Sequence, residues 1–375
     1  MPGPIKILHV VNSLGSGGME NGIANVARAL PPGEFEIHVC CLESSGVFAA
    51  RLPQPENVHV LRKPPGFSPR AVWDLHRLIR RVRPHVIHSH NLGALIYSGL
   101  VKMLGSRRPL LHGDHHLLTP EECVPRRQRQ RAWFYRCCRK IHTVSEGLRQ
   151  QLIGQGLPAD KIITLRNGVD SVRFHPGDRA AARRKIGGVP EAALVLGFVS
   201  RFAPGKGHAL LLEAFGQLAA THPQLHLLLI GAGGTEEAKV RTQAQSNPAA
   251  ARIHFTGFQN DLVPYYQSLD ALVFPSVVDG LSNAVLEAMA CGVPVFAQPT
   301  CGNPEIITPG QDGVLAPLER AEDLVALLQP WLAQPEKLAA LGHAAREKVL
   351  AQFGLDSMVA QYQRLYQNLA GGPPS

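Results

Sequence analysis

The sequence lacks the features that mark membrane proteins, secreted proteins and zinc-cluster proteins. Its 375 residues contain no apolar run near the roughly 18 residues of a membrane-spanning helix. The N-terminal segment MPGPIKILHVVNSLGSGG has neither the basic start nor the cleavage site of a signal peptide. The seven cysteines form no CxxC pair and have no histidine partners at zinc spacing. We therefore expect a cytoplasmic protein with reduced, mostly buried thiols.

Charged residues make up only 18% of the chain and aromatic residues 6%, whereas the hydrophobic fraction of 45% is typical of a globular protein. The length exceeds what one hydrophobic core usually serves, so two domains are expected. The net charge of +9 is uneven, because residues 1–176 carry 24 Lys and Arg against 12 Asp and Glu, and the remainder carries 14 against 17. The first half therefore either meets an anionic partner or simply carries the solubility charge.

Short β-rich apolar runs alternate with helical stretches along the whole chain, which predicts two parallel α/β sheets of the Rossmann type. Turn-forming residues at Asn167–Gly177 mark the boundary, so we predict domains at 1–176 and 177–353. A terminal amphipathic helix is predicted at about 354–370. The predicted strands are Ile5–Val11, Glu36–Leu42, Val58–Leu61, His85–His88, Leu110–His112, Lys140–Val144, Ile162–Leu165, Leu194–Val199, Leu225–Ile230, Ile253–Thr256, Ala271–Phe274 and Val293–Phe296. The predicted helices include Asn21–Leu30, Ala71–Val82, Asp178–Lys185, Ala209–Ala220 and Asn283–Ala290.

The most informative stretch is FPSVVDGLSNAVLEAMACGVPVF, residues 274–296. Its pattern predicts a loop between a buried strand and a helix that opens at Ser282–Asn283, with Asp279 before the helix and Glu287 one turn inside it. A helix start binds anions through its free N–H groups, and a carboxylate one turn further in can accept hydrogen bonds from sugar or ribose hydroxyls. This combination suits a nucleotide-diphosphate sugar. An ordinary strand–helix–strand crossover with a polar N-cap is the alternative.

Two cations follow the first strand of the second half, in SRFAPGKG. Arg201 lies at the carboxyl end of that strand, and Lys206 follows Gly205, which keeps the loop slim. Two fixed cations at this edge suit a diphosphate, and a solvated loop with two surface cations is the alternative.

The first half has a glycine loop and two histidine groups at predicted strand ends. The loop Gly15–Glu20 leads into a helix but lacks the G-x-G-x-x-G spacing of a dinucleotide site. Alternation places His88 and His90 on one face of a strand, which suggests a metal site. No third ligand of fitting spacing is evident, so we predict hydrogen-bonded structure and no metal there. The second group is His112-Gly-Asp-His115-His116.

Two basic stretches, Ser68–Arg83 and Arg126–Lys140, contain arginines with interleaved aromatic residues. This pattern fits nucleic acid, an anionic membrane surface, or a solvated helix face whose aromatics belong to the core. No nucleic-acid-binding motif accompanies them. We therefore predict no nucleic-acid partner.

Taken together, these segments resemble the retaining GT-B glycosyltransferases of family 4 (glycosyltransferase group 1). The residues that carry the resemblance are Glu287-Ala-Met-Ala-Cys-Gly-Val-Pro-Val295 with Asp279 eight positions earlier, Arg201 with Lys206-Gly207, the glycine loop, and both histidine segments. The family usually has Glu where this chain has Asp279. The resemblance implies two Rossmann-like domains facing across a cleft, with a C-terminal helix that crosses back to the first domain.

The resemblance also implies transfer of a sugar from a nucleotide-diphosphate sugar to an acceptor hydroxyl, with retention, without a cofactor or bound metal, in cell-surface polysaccharide or glycolipid synthesis. For the two basic stretches, the resemblance implies contact with anionic lipid or a lipid-linked acceptor at the inner face of the membrane as the preferred functional interpretation. Two alternatives are a nucleotide-sugar 2-epimerase on the same fold and a non-catalytic, membrane-docked sugar-binding subunit. The implied catalytic residues are His115, Asp279, Arg201 and Lys206. The implied donor contacts are Gly17, Gly18, Arg201, Lys206, Gly280, Leu281, Ser282, Asn283 and Glu287, and the acceptor-side candidates are Glu20, His90 and His116.

Overall fold

The computed structural model describes residues 3–15, 17–118, 122–300 and 302–371, so Ser16 of the glycine loop and Cys301 lie outside the described residues. The chain divides into two compact units, residues 1–167 with 356–375 and residues 168–355. Residues 168–176 pack with the second unit, where Gln267 Nε2 donates to the His175 carbonyl at 2.9 Å and Arg346 Nη1 to the Phe174 carbonyl at 3.3 Å. The division therefore falls before residue 168, whereas the sequence placed it after residue 176.

The first unit is built on a seven-stranded sheet whose strands are all parallel, in the spatial order β3-β2-β1-β4-β5-β6-β7. The strands are β1 (Ile5–Ser13), β2 (Phe35–Ser44), β3 (Val58–Val60), β4 (Val86–His90), β5 (Leu110–Asp114), β6 (Lys140–Thr143) and β7 (Ile162–Thr164). The helices between them are α1 (Gly18–Ala29), α2 (Pro69–Val82), α3 (Asn91–Met103), α4 (Pro125–Tyr135) and α5 (Glu146–Gly154). The predicted fourth strand, His85–His88, in fact runs two residues further, which brings His90 into the sheet.

Alternation along the strands gives this sheet two different faces. Leu8, Val10 and Ile87 belong to an apolar core that also contains side chains of α2, α3 and α4. The neighbouring positions, His9 and His88, therefore point to the opposite face. These two imidazoles are thus separated from the main hydrophobic core of the sheet.

The second unit contains a six-stranded parallel sheet in the order β10-β9-β8-β11-β12-β13. Its strands are β8 (Leu194–Val199), β9 (Leu225–Ile230), β10 (Ile253–Gly257), β11 (Ala271–Phe274), β12 (Val295–Ala297) and β13 (Val314–Leu315). Its helices are α6 (Arg179–Ile186), α7 (His208–Thr221), α8 (Glu237–Gln245), α9 (Val263–Ser268), α10 (Asn283–Ala290), α11 (Asn303–Ile306), α12 (Ala321–Leu332) and α13 (Pro335–Gln352). The order reverses at β8 and β11, the place where sheets of this type bind ligands.

A buried ion pair ties α6 to the start of β11. Arg183 Nη2 lies 2.6 Å from Asp270 Oδ2, which also accepts a hydrogen bond from the Val195 backbone N–H at 2.7 Å. Arg179 contacts the other oxygen of the same carboxylate at 2.8 Å, but its side chain is 48% exposed against 4% for Arg183. The two arginines therefore share one partner in very different solvent environments.

The last helix, α14 (Leu355–Gly371), packs its buried side chains onto the first unit, as the resemblance implied. Tyr366 lies against the imidazole face of the sheet, where its hydroxyl is 2.9 Å from His88 Nδ1. Among the described residues, no helix is both long enough and apolar enough to cross a membrane.

Candidate functional site

The predicted donor residues of the second unit come from two loops that leave neighbouring strands at their carboxyl ends. Arg201 and Lys206 lie in the loop from β8 to α7, and Asp279 lies in the loop from β11 to α10. Because β8 and β11 pair directly, both loops emerge at the same edge of the sheet. The structure therefore brings together residues that are more than 70 positions apart in sequence.

The two loops pack closely, which depends on glycines with positive φ. A Cβ atom at Gly207 (φ 86°) would lie 2.8 Å from Pro275, and one at Gly205 (φ 77°) would lie 2.5 Å from a methyl group of Val278. The Val277 backbone N–H also donates to the Gly205 carbonyl at 2.9 Å. Larger residues at either glycine would push the loops apart, since both positions need the left-handed conformation and the space.

Lys206 and Asp279 meet at this edge. Lys206 Nζ lies 2.6 Å from Asp279 Oδ1, and the two side chains are 15% and 24% exposed. The buried Ser276 hydroxyl donates to the other carboxylate oxygen of Asp279 and so fixes its orientation. Arg201 is exposed, and its guanidinium has no hydrogen bond or ion pair to any residue that the structure describes. Lys206 is thus held by a carboxylate, whereas Arg201 is available to bind an anion.

The helix α10 begins where the sequence predicted. The Ser282 side chain accepts from the Val285 backbone N–H at 3.4 Å and caps the helix, so Asn283 is its first residue. Leu281 is buried, and a Cβ atom at Gly302 would lie 2.5 Å from the Gly280 carbonyl oxygen. Gly302, in the loop that follows β12, therefore packs directly against the segment from Gly280 to Ser282.

Glu287 lies one turn inside α10 and is buried, with 6% of its surface exposed. The Tyr266 hydroxyl donates to Glu287 Oε2 at 2.9 Å. Burial, together with the neighbouring carboxylate, raises the pKa of Tyr266 well above its ordinary value, so this phenol stays a proton donor. The geometry leaves Glu287 as a positioned acceptor behind a helix start, which suits hydroxyl recognition beside a bound phosphate.

In the first unit, the glycine loop and the histidine segments meet at one pocket of about 340 Å³. Gly17 is the N-cap of α1, and Glu20 lies in its first turn. Gly18 lines the pocket together with His90 and His115. The structure therefore places three of the predicted first-domain residues around a common space.

Five histidines form a group that we call the histidine cluster: His9, His88, His90, His115 and His142. The first four line the pocket, and His142 contacts His88. Sequence analysis missed His9 and His142 as members. The ring contacts run in a chain: His142 Nε2 to His88 Nε2 (2.9 Å), His88 Nδ1 to the Tyr366 hydroxyl (2.9 Å), that hydroxyl to His9 Nε2 (3.5 Å), His9 Nδ1 to His90 Nε2 (2.9 Å) and His90 Nδ1 to His115 Nε2 (2.8 Å). A neutral imidazole has one donor and one acceptor, so such a chain can be continuous.

Burial keeps the rings of the cluster neutral. It lowers the pKa of His9 and of His115 to about 3, and it lowers those of His88, His90 and His142 well below the ordinary value. Desolvation disfavours the charged imidazolium in every member, and neighbouring histidines disfavour it further in the four members other than His9, although Asp114 opposes this in His115 and His142. At neutral pH these side chains are therefore neutral hydrogen-bonding groups and possible metal ligands.

Gly113 on β5 makes room for this arrangement. It is paired with His90 on one side and with His142 on the other. A Cβ atom at Gly113 would clash with His142 Nε2 and lie 2.9 Å from His115 Nε2. Because Gly113 has no side chain, the imidazoles of His142 and His115 can approach each other beside it.

The other three polar side chains of this segment, those of His112, Asp114 and His116, are engaged away from the pocket. Asp114 accepts from the Tyr135 hydroxyl and lies 3.5 Å from His112 Nε2. Burial acts to raise the pKa of Asp114, but His112 and Tyr135 outweigh it and hold that pKa below the ordinary value. His116 lies 3.2 Å from Glu122, and this hydrogen bond raises the pKa of His116. His115 is therefore the member of the predicted pair that reaches the pocket.

The basic stretch Arg126–Lys140 is only partly a solvated face. Phe134, Tyr135 and Arg131 are all buried, and Arg131 Nη1 donates to the Glu122 carbonyl at 3.3 Å. Trp133 is 46% exposed. The other stretch, Ser68–Arg83, forms α2, on which Trp73 is 56% exposed. Each stretch therefore leaves one tryptophan at the surface.

Two family models match the chain, described as glycosyltransferase family 4 over residues 16–173 and as glycosyl transferases group 1 over residues 180–348. A D-inositol 3-phosphate glycosyltransferase of Rhodococcus jostii is 31% identical over 283 residues, 70% of this chain and 61% of that protein. The enzyme of the same name from Geodermatophilus obscurus is 30% identical over 308 residues, 76% of this chain and 67% of the relative. The matches thus span about two thirds of these relatives.

Solved structures agree on the fold. The crystal structure of Anabaena HepE in complex with UDP-glucose superimposes with a TM-score of 0.86 at 22% identity, covering 97% of this chain and 99% of that one. Sucrose-phosphate synthase from Thermosynechococcus elongatus gives 0.81 at 22% identity, covering 97% and 98%. With both family models matched in order, the chain belongs to family 4 of the glycosyltransferases and has the GT-B fold.

Proposed function

We propose that the protein transfers a sugar from a nucleotide-diphosphate sugar to an acceptor hydroxyl with retention of configuration. The observation that carries this proposal is the meeting of Lys206, Asp279 and the α10 helix start, with Glu287 behind it, where the order of the second sheet reverses. Arg201 and Lys206 would bind the diphosphate, and Glu287 the ribose. Asp279 would lie beside the transferred sugar, with its position fixed by Ser276.

In this proposal the positive charge that assists departure of the nucleoside diphosphate comes from the protein. Arg201, Lys206 and the N–H groups at the start of α10 would stabilise the charge that develops on the leaving phosphate, so the transfer itself requires no bound metal ion. His115 would contact the sugar from the first unit as a neutral ring, since its pKa is lowered to about 3. The leaving phosphate would accept the proton of the attacking hydroxyl on the same face of the sugar, which gives retention.

The donor and acceptor classes rest on the relatives. HepE was crystallised with UDP-glucose. A relative from Corynebacterium glutamicum is named a GDP-mannose-dependent monoacylated alpha-(1-6)-phosphatidylinositol monomannoside mannosyltransferase. It is 31% identical over 54% of this chain and 55% of its own length. We therefore propose a hexose donor carried on UDP or GDP, and an acceptor used in cell-surface glycolipid or polysaccharide synthesis. The exposed Trp73 and Trp133, each within a basic stretch, support contact with anionic lipid.

The test is a transfer assay with labelled UDP-glucose, UDP-N-acetylglucosamine and GDP-mannose, offered with inositol 3-phosphate or with phosphatidylinositol in vesicles. We expect one donor to give a labelled product whose anomeric configuration is retained. His115→Ala and Glu287→Gln should each reduce the rate by about 100-fold or more, whereas Lys337→Met, at an exposed lysine of the same unit as Glu287, should not. Release of an epimerised donor would identify an epimerase. Donor binding without any product would indicate a sugar-binding subunit.

A further inference from the structure

The sheet register of the first unit brings three histidines to adjacent positions on one face. His9 of β1 is paired directly with His88 of β4, and His90 follows two residues later on the same face of β4. Side chains at such positions are nearest neighbours on a sheet surface. This grouping follows from the backbone alone, because β1 and β4 are adjacent although 72 residues lie between Ser13, where β1 ends, and Val86, where β4 begins.

The three rings have the spacing of a shared metal ligand set. One ring nitrogen of each lies within 4.8 Å of the others, and His9 Nδ1 is 2.9 Å from His90 Nε2. The ring centroids are 5.0 Å (His9 to His88), 5.2 Å (His9 to His90) and 4.0 Å (His88 to His90) apart. Tetrahedral zinc with Zn–N bonds of about 2.0 Å separates its ligand nitrogens by roughly 3.3 Å, so small ring rotations would be enough.

The surroundings favour a borderline transition metal over a hard cation. All three rings are buried, with 2%, 0% and 3% of the surface of His9, His88 and His90 exposed. They line the 340 Å³ pocket with Met19 and Tyr366, and the described residues around it include no carboxylate. Magnesium and calcium prefer several oxygen ligands, whereas imidazole suits zinc and its neighbours. The pocket leaves room for a fourth ligand such as water.

We propose that His9, His88 and His90 form a binding site for Zn²⁺ or a similar divalent transition metal ion, with an open position toward the pocket. The neighbouring groups provide the outer contacts that such ligands need. The Tyr366 hydroxyl lies 2.9 Å from His88 Nδ1, and His115 Nε2 lies 2.8 Å from His90 Nδ1. The site belongs to the first unit and does not depend on the proposed donor binding in the second.

The direct test is metal binding by the purified full-length chain after dialysis against a chelator. We expect one Zn²⁺ per chain by elemental analysis after removal of loosely bound metal, and a higher melting temperature with Zn²⁺ than without it. Co²⁺ should occupy the same position and give visible absorption bands typical of a tetrahedral or five-coordinate site. If the stripped protein takes up neither ion and its melting temperature does not change, the imidazoles form only a hydrogen-bonded chain and the proposal is wrong.

Substitutions distinguish the proposed ligands His9, His88 and His90 from other histidines. His9→Gln should weaken Zn²⁺ binding by about 100-fold or more, because a ligand is lost rather than an outer contact. His254→Gln is the matched control, since the His226–His254 contact of 2.9 Å also joins neighbouring strands but lies in the other unit. His142→Gln should also retain the ion. The proposal is overturned if His9→Gln binds like wild type, or if only His142→Gln loses the ion, as a site made of His90, His115 and His142 would require.

Circular dichroism of each metal-free variant separates loss of binding from loss of fold. The stoichiometry and the cobalt spectrum of the wild-type chain do not depend on any variant being stable. The uptake measurement therefore decides the proposal even if His9→Gln does not fold.

Discussion

The contact between Lys206 and Asp279 leads to an unusual prediction: removal of the charge of a site carboxylate strengthens binding of a nucleoside diphosphate. Lys206 Nζ lies 2.6 Å from Asp279 Oδ1. A diphosphate that binds Lys206 must compete with this carboxylate. Asp279→Asn removes the competing charge and keeps the shape of the side chain, so the lysine becomes more available to phosphate.

The size of the effect follows from the environment of the pair. The side chains are 15% and 24% exposed, so solvent reduces their attraction, and measured pairs of this kind contribute about 1 kcal/mol or less. Asp279→Asn should therefore strengthen binding of UDP or GDP, whichever the wild-type protein binds, by at most about fivefold. Lys206→Met removes a charged hydrogen-bond donor to phosphate, a loss of about 1.5–3 kcal/mol, which is about 10- to 150-fold in affinity.

Isothermal titration calorimetry of wild type, both single variants and the double variant measures these effects as a double-mutant cycle. In the double variant the gain from Asp279→Asn should disappear, because no lysine remains to be released. Asp279→Asn should lower the rate of sugar transfer although it strengthens binding of the diphosphate, so its effects on turnover and on affinity should be opposite. Weaker binding by Asp279→Asn, or wild-type binding by Lys206→Met, would refute the reasoning. Lys337→Met, at an exposed lysine of α13, is the control and should leave affinity unchanged.

Three further predictions concern stability. Arg183→Met should lower the free energy of unfolding by about 3 kcal/mol, whereas Arg179→Met, at the exposed partner of the same carboxylate, should cost about 1 kcal/mol or less in urea denaturation. Gly113→Ala should cost about 1–3 kcal/mol because its methyl group meets the imidazoles of His142 and His115. Gly154→Ala in helix α5, where a Cβ has no neighbour within 4 Å, should be neutral or stabilising, and equal melting temperatures of the two variants would contradict this. His116→Gln should lower the denaturation midpoint at about pH 6 and much less at about pH 9. The pKa of His116 is raised in the folded protein, so the stabilisation by its charged form is largest below the pKa of the unfolded state. That stabilisation is lost as the pH rises through the pKa of the folded state.

Local sequence signals were sufficient for the elements of the donor side. The strands Leu194–Val199, Leu225–Ile230 and Ala271–Phe274 and the helix Asn283–Ala290 have the predicted bounds. Apolar runs bounded by turn residues define the strands, and Ser282 defines the helix start through its side-chain cap. Periodicity and capping are local properties, so they can be read from one chain.

Contacts between distant segments could not be predicted in the same way. The proximity of His9 to His88 and His90 has no local signal, because His9 lies about 80 positions away and reaches them only through the pairing of β1 with β4. Gly113, which gives His142 access to the cluster, has no local signal for that role. A solvated face was one interpretation of the basic stretch that contains Arg131, yet Arg131 is buried and its Nη1 donates to the Glu122 carbonyl. Strand order and burial decide these positions, and neither is a local property.

The measurement that tests the central claim most directly is the melting temperature of the wild-type protein with UDP, GDP, ADP and their sugar conjugates, each with and without EDTA. A ligand of the folded state at 100 times its dissociation constant adds about 2.7 kcal/mol of stability. We expect a shift with nucleotides of one base, which EDTA does not abolish and which Glu287→Gln strongly reduces. No shift with any nucleotide, or an equal shift in Glu287→Gln, would contradict a donor site at the end of β8 and β11.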